Sequence, residues 1–428
     1  MSNTSDGKLG IWAVIAIGVG GMVGGGIFAV LGLAVQLAHG GTPVAFGLAG
    51  MVALLTTYSY AKLSVTYPSR GGTVTFLNRA FGGGMLTGSL NVLLWLSYVV
   101  MLSLYAFAFG SYGATFLPSA WQGLEKHALI SLSVILLAGL NLMSVEWIGK
   151  AEDWIVGLKV LILVLFVGFG LASVKISQVA PGSWSPPLRL AAGGMIIFLA
   201  YEGFELMANT AEDVRDAART LPRAYYTAVG FVIVLYVLVS FVTVGNLSVA
   251  KIVVARDYAL SEAARSFFGQ TGFSLIAVAA LLSTASAINA TFYGTARLSF
   301  CIARDRELPV FLKRKVWNQP VVGLLITAGL TLVVANAFDL TSISTLGSAG
   351  FLLIFAAVNA ANMRHARKTN SNRWISAAGA VACLAALGAL IWQTGTTAPA
   401  KLWVLAAMIG LAVLIEGGYR ATKGDLRA

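Results

Sequence analysis

Cysteine and histidine are scarce in this chain of 428 residues. The only cysteines, Cys301 and Cys383, both lie inside apolar runs, so no disulfide framework or thiolate metal site is available. The three histidines, His39, His127 and His365, sit at the ends of apolar segments, which argues against a histidine zinc site or a histidine proton relay. Much metal-dependent and hydrolytic chemistry is thereby excluded. We predict that the protein is not an enzyme and that it needs no metal or cofactor.

Charge is also scarce. Charged residues make up 11% of the chain against about 25% in globular proteins, while 58% of the residues are hydrophobic and the mean hydropathy is +0.82. So little charge cannot cover the surfaces of about three soluble domains, the number that this length would otherwise suggest. The net charge of +12 is scattered between apolar runs rather than gathered in one stripe, so no nucleic-acid partner is expected. The composition predicts a protein embedded in a lipid bilayer.

Long apolar runs bounded by charge, Pro or Gly predict the transmembrane segments, because a bilayer core needs about 20 apolar residues in a helix. Twelve such runs predict an all-α integral membrane protein with twelve transmembrane helices. Their approximate limits are 10–36, 42–67, 84–117, 127–145, 150–174, 188–210, 223–246, 271–303, 320–337, 342–362, 374–393 and 400–419.

The basic residues orient these spans. With the N-terminus inside, 21 of the 29 Lys and Arg residues fall on the cytoplasmic side and 7 fall outside, while Lys159 lies within a span. Positive charge concentrates in cytoplasmic loops. We therefore predict a multi-pass protein of the plasma (cell inner) membrane with both termini in the cytoplasm.

Two spans are predicted to be broken helices. The first contains three consecutive glycines, Gly24, Gly25 and Gly26, and each glycine costs about 1 kcal/mol in a helix interior. The alternative is close packing, because small residues are common where membrane helices touch. In the sixth span, Gly203 stands beside Glu202 in mid-run, where charge is expensive unless it faces a cavity or a partner.

The two predicted breaks lie five spans apart, and because five is odd the second copy would have inverted topology. The short stretch 78–82 after span two is similar to 264–269 after span seven. Together these features predict the five-plus-five inverted repeat of secondary transporters, with broken helices one and six meeting near the midplane. The predicted parts are a cytoplasmic N-terminus (1–9), the repeats (10–174 and 188–362), two further helices (374–419) and a cytoplasmic C-terminus (420–428).

Broken helices suit a zwitterionic ligand. Half-helix N-termini expose amides with a positive dipole end, and half-helix C-termini and unwound segments expose carbonyls. An amino acid would place its carboxylate on glycine amides of span one, and its ammonium on carbonyls of spans one and six. Backbone recognition of this kind would not select the side chain. The predicted substrate-binding residues are Met22, Gly24, Gly25, Gly26, Leu199, Ala200, Glu202, Gly203 and Phe204.

Four motifs, in this order, resemble the amino acid, polyamine and organocation (APC) transporter superfamily. They are residues 20–28 (GGMVGGGIF), 201–205 (YEGFE), 211–213 with 221–224 (AED and LPRA), and 296–309, which ends span eight. Within the superfamily the chain is most similar to the ApcT-type, proton-coupled, broad-specificity amino-acid transporters, because Lys159 follows residues 151–152 in span five and 289–291 read Asn-Ala-Thr. The resemblance implies the LeuT-like fold and coupling by a proton rather than sodium.

The resemblance also assigns a coupling role to Lys159. It would place the amine between broken helix one and span eight, near the carbonyl of Gly20 and the hydroxyls of Ser283 and Ser286, which share a helix face. Desolvation disfavours the charged form of a buried lysine, so a proton could leave during the transport cycle. The alternative is a lysine that snorkels, since Lys159 lies about 10 Å along a helix from Glu152 near the cytoplasmic interface.

Glu202 departs from the ApcT-like pattern, in which an apolar residue is common at this position. Its carboxylate adjoins the predicted ammonium site, where three roles are open. It could favour cationic substrates, act as a second proton carrier, or point into a polar vestibule. Glu205 matches an acidic position frequent in the family, and we expect it to be a structural partner of a helix end or a polar neighbour.

The predicted function is secondary active import of amino acids by proton symport through alternating access, with small neutral amino acids as substrates. No obligatory protein partner is inferred. An amino-acid or amine exchanger of the same fold is the nearest alternative. A receptor or sensor that binds an amino acid without moving it is the alternative from another class.

Overall fold

A computed structural model describes residues 9–118, 122–142, 146–304 and 321–424. Sixteen α-helices occur in these ranges, with a 16-residue 3₁₀ helix at Phe198–Asp213 after α9. The α-helices are α1 Ile11–Met22, α2 Gly26–Ala38, α3 Thr42–Thr66, α4 Gly72–Phe81, α5 Met85–Ala114, α6 Gln122–Leu142, α7 Glu146–Gly170, α8 Ile176–Val179, α9 Pro187–Ile196, α10 Ala217–Asn246, α11 Val249–Val254, α12 Ala259–Arg304, α13 Val321–Ala337, α14 Leu340–Arg364, α15 Arg373–Thr397 and α16 Ala400–Gly424. In these ranges no β-strand forms, and two isolated β-bridges join Leu9 to Val214 and His39 to Trp184.

The predicted all-helical membrane class is confirmed. Nine of the described helices are long and apolar enough to cross a membrane, and two sharply bent pairs raise the number to eleven. The segment predicted as span nine corresponds to α13, which is apolar but only 17 residues long. The predicted tails before residue 9 and after residue 424 lie outside the described residues, as does the charged motif that continues beyond Arg304.

One bent pair is α1 and α2, which meet at 45° across Val23–Gly25, here called the first break. The other pair is α9 and the 3₁₀ helix, which meet at 43° at Ile197, here called the second break. The sequence placed the second break five residues later, at Glu202 and Gly203. The chain already leaves α-helical geometry at Ile197, where the amide of Ala200 donates to the Ile197 carbonyl in a 3₁₀ pattern, and Glu202 and Gly203 lie inside the 3₁₀ helix that follows.

Two glycines end short helices in matching places. Gly82 follows α4 with a φ of 74°, and Gly269 interrupts α12 with a φ of 60°. Positive φ is accessible to glycine without the strain that other residues suffer. The two stretches that the sequence compared, 78–82 and 264–269, therefore both end in a glycine turn before a long helix.

The core of the bundle is built around α5. Most residues of α5 and α14 are buried, whereas much of α6, α15 and α16 is exposed apolar surface. Apolar side chains on that outer surface are what a lipid-facing helix requires. Both breaks lie on the buried side, where α1, α2, α3, α10 and α14 pack around the 3₁₀ helix.

Candidate functional site

The first break interrupts the backbone ladder of span one. The last bond of α1 runs from the Val23 amide to the Val19 carbonyl, and the first of α2 runs from the Ala29 amide to the Gly25 carbonyl. The N-cap residue Gly25 provides no side-chain cap for α2. The amides in the first turn of α2 thus lie at the positive end of the helix dipole, which suits a carboxylate.

Side chains from distant helices bind the carbonyls of the first break. Tyr236 of α10 donates its hydroxyl to the Met22 carbonyl at 2.6 Å and approaches the Ala200 carbonyl at 3.3 Å. Ser283 of α12 donates to the carbonyls of Val23, at 2.9 Å, and Gly24. Two of the carbonyls predicted to bind an ammonium, those of Met22 and Ala200, are therefore joined by one phenol hydroxyl.

Lys159 of α7 crosses to the end of α1. Its Nζ donates to the Gly20 carbonyl at 3.0 Å, and the residue is only 2% exposed. A cation at a helix C-terminus interacts favourably with the dipole and the last carbonyls. The amine points to the helix end rather than to the membrane interface, so this conformation does not show the snorkelling alternative. Ser286, predicted to lie beside it, is 9% exposed on α12.

Gly24 and Gly25 of the first break and Gly26 at the start of α2 are closely surrounded. A methyl group would lie 2.9 Å from Ala287 Cβ if added at Gly24, and 2.8 Å from Ala200 Cα if added at Gly26. At Gly25 it would overlap the ring of Tyr105. Close packing and a helix break therefore coincide here. In this conformation all three glycines are buried.

Gly203 and Phe204 have packing contacts. A methyl group at Gly203 would lie 2.6 Å from Gly21 Cα, so the backbones of span one and the 3₁₀ helix touch at this pair. The Phe204 ring is buried against Tyr60 and Phe355, with centroid distances of 5.4 and 5.2 Å. Gly203 thus joins the two broken spans, whereas Phe204 packs the 3₁₀ helix against α3 and α14.

The second break is bound by serines of α14. Ser344 and Ser348 donate to the Ile196 carbonyl at 2.5 and 3.0 Å, and the Leu199 amide donates to Ser348 at 3.1 Å. Ile196 also lines a cavity of about 200 Å³ together with Leu33, Thr345 and Gln393. The cavity lies at the end of the bundle that the charge bias predicts to be outside.

Glu202 and Glu205 are both buried, each 2% exposed, and lie three residues apart on the 3₁₀ helix. Glu205 accepts hydrogen bonds from the hydroxyls of Tyr98, Tyr60 at 3.0 Å and Thr73 at 3.3 Å. Glu202 Oε1 has no hydrogen-bond partner among the described residues. Glu205 is thus the partner of polar neighbours, as its position suggested. Within the described ranges, no group of three or more His, Cys, Asp or Glu side chains could hold a metal ion.

Sequence reasoning missed three residues that organise the breaks: Tyr236, Ser344 and Ser348. A signal for each existed. Tyr236 is a lone hydroxyl in an apolar run, and the serines are one helical turn apart on α14. The sequence does not say which carbonyl each hydroxyl reaches.

The geometry places amides, carbonyls, an amine and two carboxyl groups around two helix breaks, and the chain is similar to known transporters. The sequence profile of the amino acid permease family matches residues 9–414. The inner membrane transport protein YbaT of Escherichia coli is 33% identical over 415 residues, which is 95% of each chain. The methylthioribose transporter of Bacillus subtilis is 26% identical, over 81% of this chain and 78% of its own. L-asparagine permease 1 of Mycobacterium tuberculosis is 28% identical, over 75% of this chain and 68% of its own.

Proposed function

Because the chain belongs to the amino acid permease family, within the APC superfamily, we propose that it imports amino acids by proton symport through alternating access. Family membership makes it a multi-pass membrane transporter of amino acids or related substrates, and not an enzyme. The proposal adds the coupling ion, the direction of transport and small neutral amino acids as the substrate class. It also places the protein in the cell inner membrane with cytoplasmic termini.

Two bent spans, five spans apart, support an inverted-repeat architecture of twelve spans. The bend angles of 45° and 43° are nearly equal, and Gly82 and Gly269 turn the chain at matching points. In this architecture residues 10–174 and 188–362 are the two repeats, and α15 and α16 lie outside them. Rocking one repeat against the other would open the breaks to each side in turn.

The contact between Lys159 Nζ and the Gly20 carbonyl is the observation that carries the coupling proposal. An ammonium at this position is attracted to the negative, carbonyl end of the α1 dipole and so holds α1 against α7. A neutral amine loses most of that attraction. Release of the proton from Nζ would therefore loosen α1 at the first break, where the substrate is proposed to bind.

The substrate proposal rests on the backbone of the two breaks. The amides at the start of α2 would receive the carboxylate, and the carbonyls of Met22 and Ala200 would receive the ammonium once Tyr236 yields its hydrogen bonds. L-asparagine permease 1 is named for an amino acid, which supports this class, whereas the methylthioribose transporter is named for a substrate of another kind.

The test is uptake of labelled neutral amino acids into proteoliposomes under an imposed inward proton gradient, with sodium absent. Wild type should accumulate substrate above equilibrium, and Lys159→Ala should not. Lys251→Ala is the matched control, because Lys251 is an exposed lysine of α11 and its removal should leave accumulation unchanged.

Three results would overturn the proposal. Accumulation by Lys159→Ala equal to that of wild type would remove Lys159 from the coupling step. Counterflow without concentrative uptake in wild type would identify an exchanger, and saturable binding without any flux would identify a receptor or sensor.

A further inference from the structure

Two buried carboxyl groups three residues apart on one 3₁₀ helix cannot both be ionised without strong repulsion in a membrane interior. Among the residues whose side chains the structure describes, no ion pair involves Glu202 or Glu205. Since a carboxylate oxygen only accepts hydrogen bonds, a direct bond between the two groups requires a proton on one of them. Burial without a counter-ion, on the same face of one 3₁₀ helix, therefore favours a proton shared by the two groups.

The surroundings indicate which residue carries that proton. The Glu205 oxygens accept from three hydroxyls, those of Tyr98, Tyr60 and Thr73, and hydroxyl donors stabilise the ionised form. Glu202 Oε1 receives no donor, and leaving a neutral acid's carbonyl oxygen unpaired costs less than leaving a carboxylate oxygen unpaired. We propose that Glu202 and Glu205 form a proton-binding site in which Glu202 holds the proton and donates it in a hydrogen bond to Glu205.

The backbone explains why the two groups meet. Side chains three residues apart eclipse each other on a 3₁₀ helix, whereas on an α-helix they are offset around the axis. The 3₁₀ winding of Phe198–Asp213 thus stacks Glu202 over Glu205. Loss of the proton would leave two stacked negative charges, which disfavours this winding. The site therefore links proton binding to the shape of the second broken span.

The other titratable groups facing the pair are tyrosines from the neighbouring helices. Tyr98 and Tyr105 come from α5, Tyr60 from α3 and Tyr225 from α10. Phenols stay neutral at physiological pH, so titration of the pair is assigned to the carboxyl groups. Use of this proton in transport rests on the proposed function, whereas the protonated state is measurable without transport.

Infrared difference spectroscopy of the purified full-length protein at neutral pH tests the site. The difference between wild type and Glu202→Gln should contain the carbonyl band of one protonated carboxylic acid, and raising the pH should remove this band. Glu212→Gln is the control, because Glu212 is half exposed beside Arg70, and its difference spectrum should contain only carboxylate bands.

A Glu202→Gln difference spectrum that contains only carboxylate bands would overturn the proposal. If that variant does not fold, wild type labelled with ¹³C-glutamate replaces it. An acid carbonyl band that shifts on labelling supports the site, and the absence of any such band at neutral pH rejects it. Failure of proton-driven uptake would leave either infrared result unchanged, so the two proposals fail separately.

Discussion

The two helix breaks have similar bends but different partners. At the first break, an amine from α7 binds the Gly20 carbonyl near the end of α1. At the second break, Ser344 and Ser348 from α14 bind the Ile196 carbonyl at the end of α9. The helices α7 and α14 correspond to spans five and ten, so the two caps occupy equivalent places in the proposed repeat.

This difference separates a titratable cap from a fixed one. A lysine changes charge when its proton leaves, whereas a serine hydroxyl keeps its hydrogen bonds at any physiological pH. The first break can therefore respond to a proton at its cap. The serine cap of the second break cannot respond in this way, and the titratable groups that follow it on the same span are the carboxyl groups of Glu202 and Glu205. The two breaks thus have similar bends, but the first has a titratable lysine at its carbonyl end and the second has serines that do not titrate.

The largest expected effect comes from separating the two broken spans where they touch. Gly203→Ala would place a methyl group 2.6 Å from Gly21 Cα, and overpacking of this kind costs about 1–3 kcal/mol. We expect the thermal midpoint of the detergent-solubilised protein to fall clearly. The midpoint is the temperature at which half of the monodisperse peak in size-exclusion chromatography is lost. Gly230→Ala is the control, because a methyl group there meets nothing within 4 Å. Equal midpoints for the two variants would contradict the close contact.

A loss of at most similar size is expected when the hydroxyl that joins the two breaks is removed. Tyr236→Phe leaves the buried carbonyls of Met22 and Ala200 without this donor, and an unsatisfied buried group costs about 1–3 kcal/mol. Tyr225→Phe should cost less, because its partner Ser64 has a hydroxyl that can rotate to another acceptor. Thermal midpoints of both variants check this order, and a reversed order would show that Tyr236 does not bridge the breaks.

Removing the serine caps tests whether the second break is fixed. The double substitution Ser344→Ala with Ser348→Ala removes hydrogen bonds worth about 0.5–1.5 kcal/mol each. We expect lower stability and slower uptake, with the pH dependence of uptake in proteoliposomes unchanged from wild type. Lys159→Ala should instead remove proton-driven accumulation. A shifted pH profile in the double serine variant would show that both caps take part in coupling.

The smallest effect is expected at the start of α14, the helix that carries the serine caps. Burial acts to raise the pKa of Asp339, but hydrogen bonds from Ser342 and Lys401 outweigh it and hold the pKa below its usual value. Because the folded pKa is lowered, this carboxylate stabilises the fold above the unfolded pKa, and the contribution disappears as pH falls through the folded pKa.

Asp339→Asn keeps an N-cap oxygen and loses the ion pair, so we expect a cost below about 1 kcal/mol near neutral pH. The difference in thermal midpoint between wild type and Asp339→Asn should shrink in acid. A difference that grows as pH falls would contradict the assigned direction of the pKa shift.

Local features of the chain were enough to predict the first break but not the exact position of the second. Three adjacent glycines weaken a helix wherever it packs, so residues 24–26 identify the first break without any partner. The second break has no such local cause at Ile197. Its hydrogen bonds come from Ser344 and Ser348, which bind the Ile196 carbonyl from 148 and 152 residues away along the chain. No local sequence pattern predicts contacts between residues so far apart.

The site residues likewise divide into those whose contacts could be predicted and those whose contacts could not. The resemblance of the motifs indicated that Lys159 approaches Gly20, and the structure places the two atoms at 3.0 Å. Gly203 and Phe204 were selected for their neighbourhood in sequence, yet their observed contacts are with Gly21 and an aromatic cluster. Adjacency to a helix break does not tell which side of the segment faces a ligand.

The sequence by itself determined the membrane class, the helical spans and the weak point in span one, because apolar run length and glycine content act locally along the chain. Only the tertiary structure decided which side chains bind the broken ends and why Glu202 and Glu205 stack. Those contacts join Gly20 to Lys159, Met22 to Tyr236 and Tyr60 to Glu205, which are 139, 214 and 145 residues apart. Pairings over such separations exist only once the helices have packed, since packing selects the hydroxyl or amine that lies near each unpaired carbonyl.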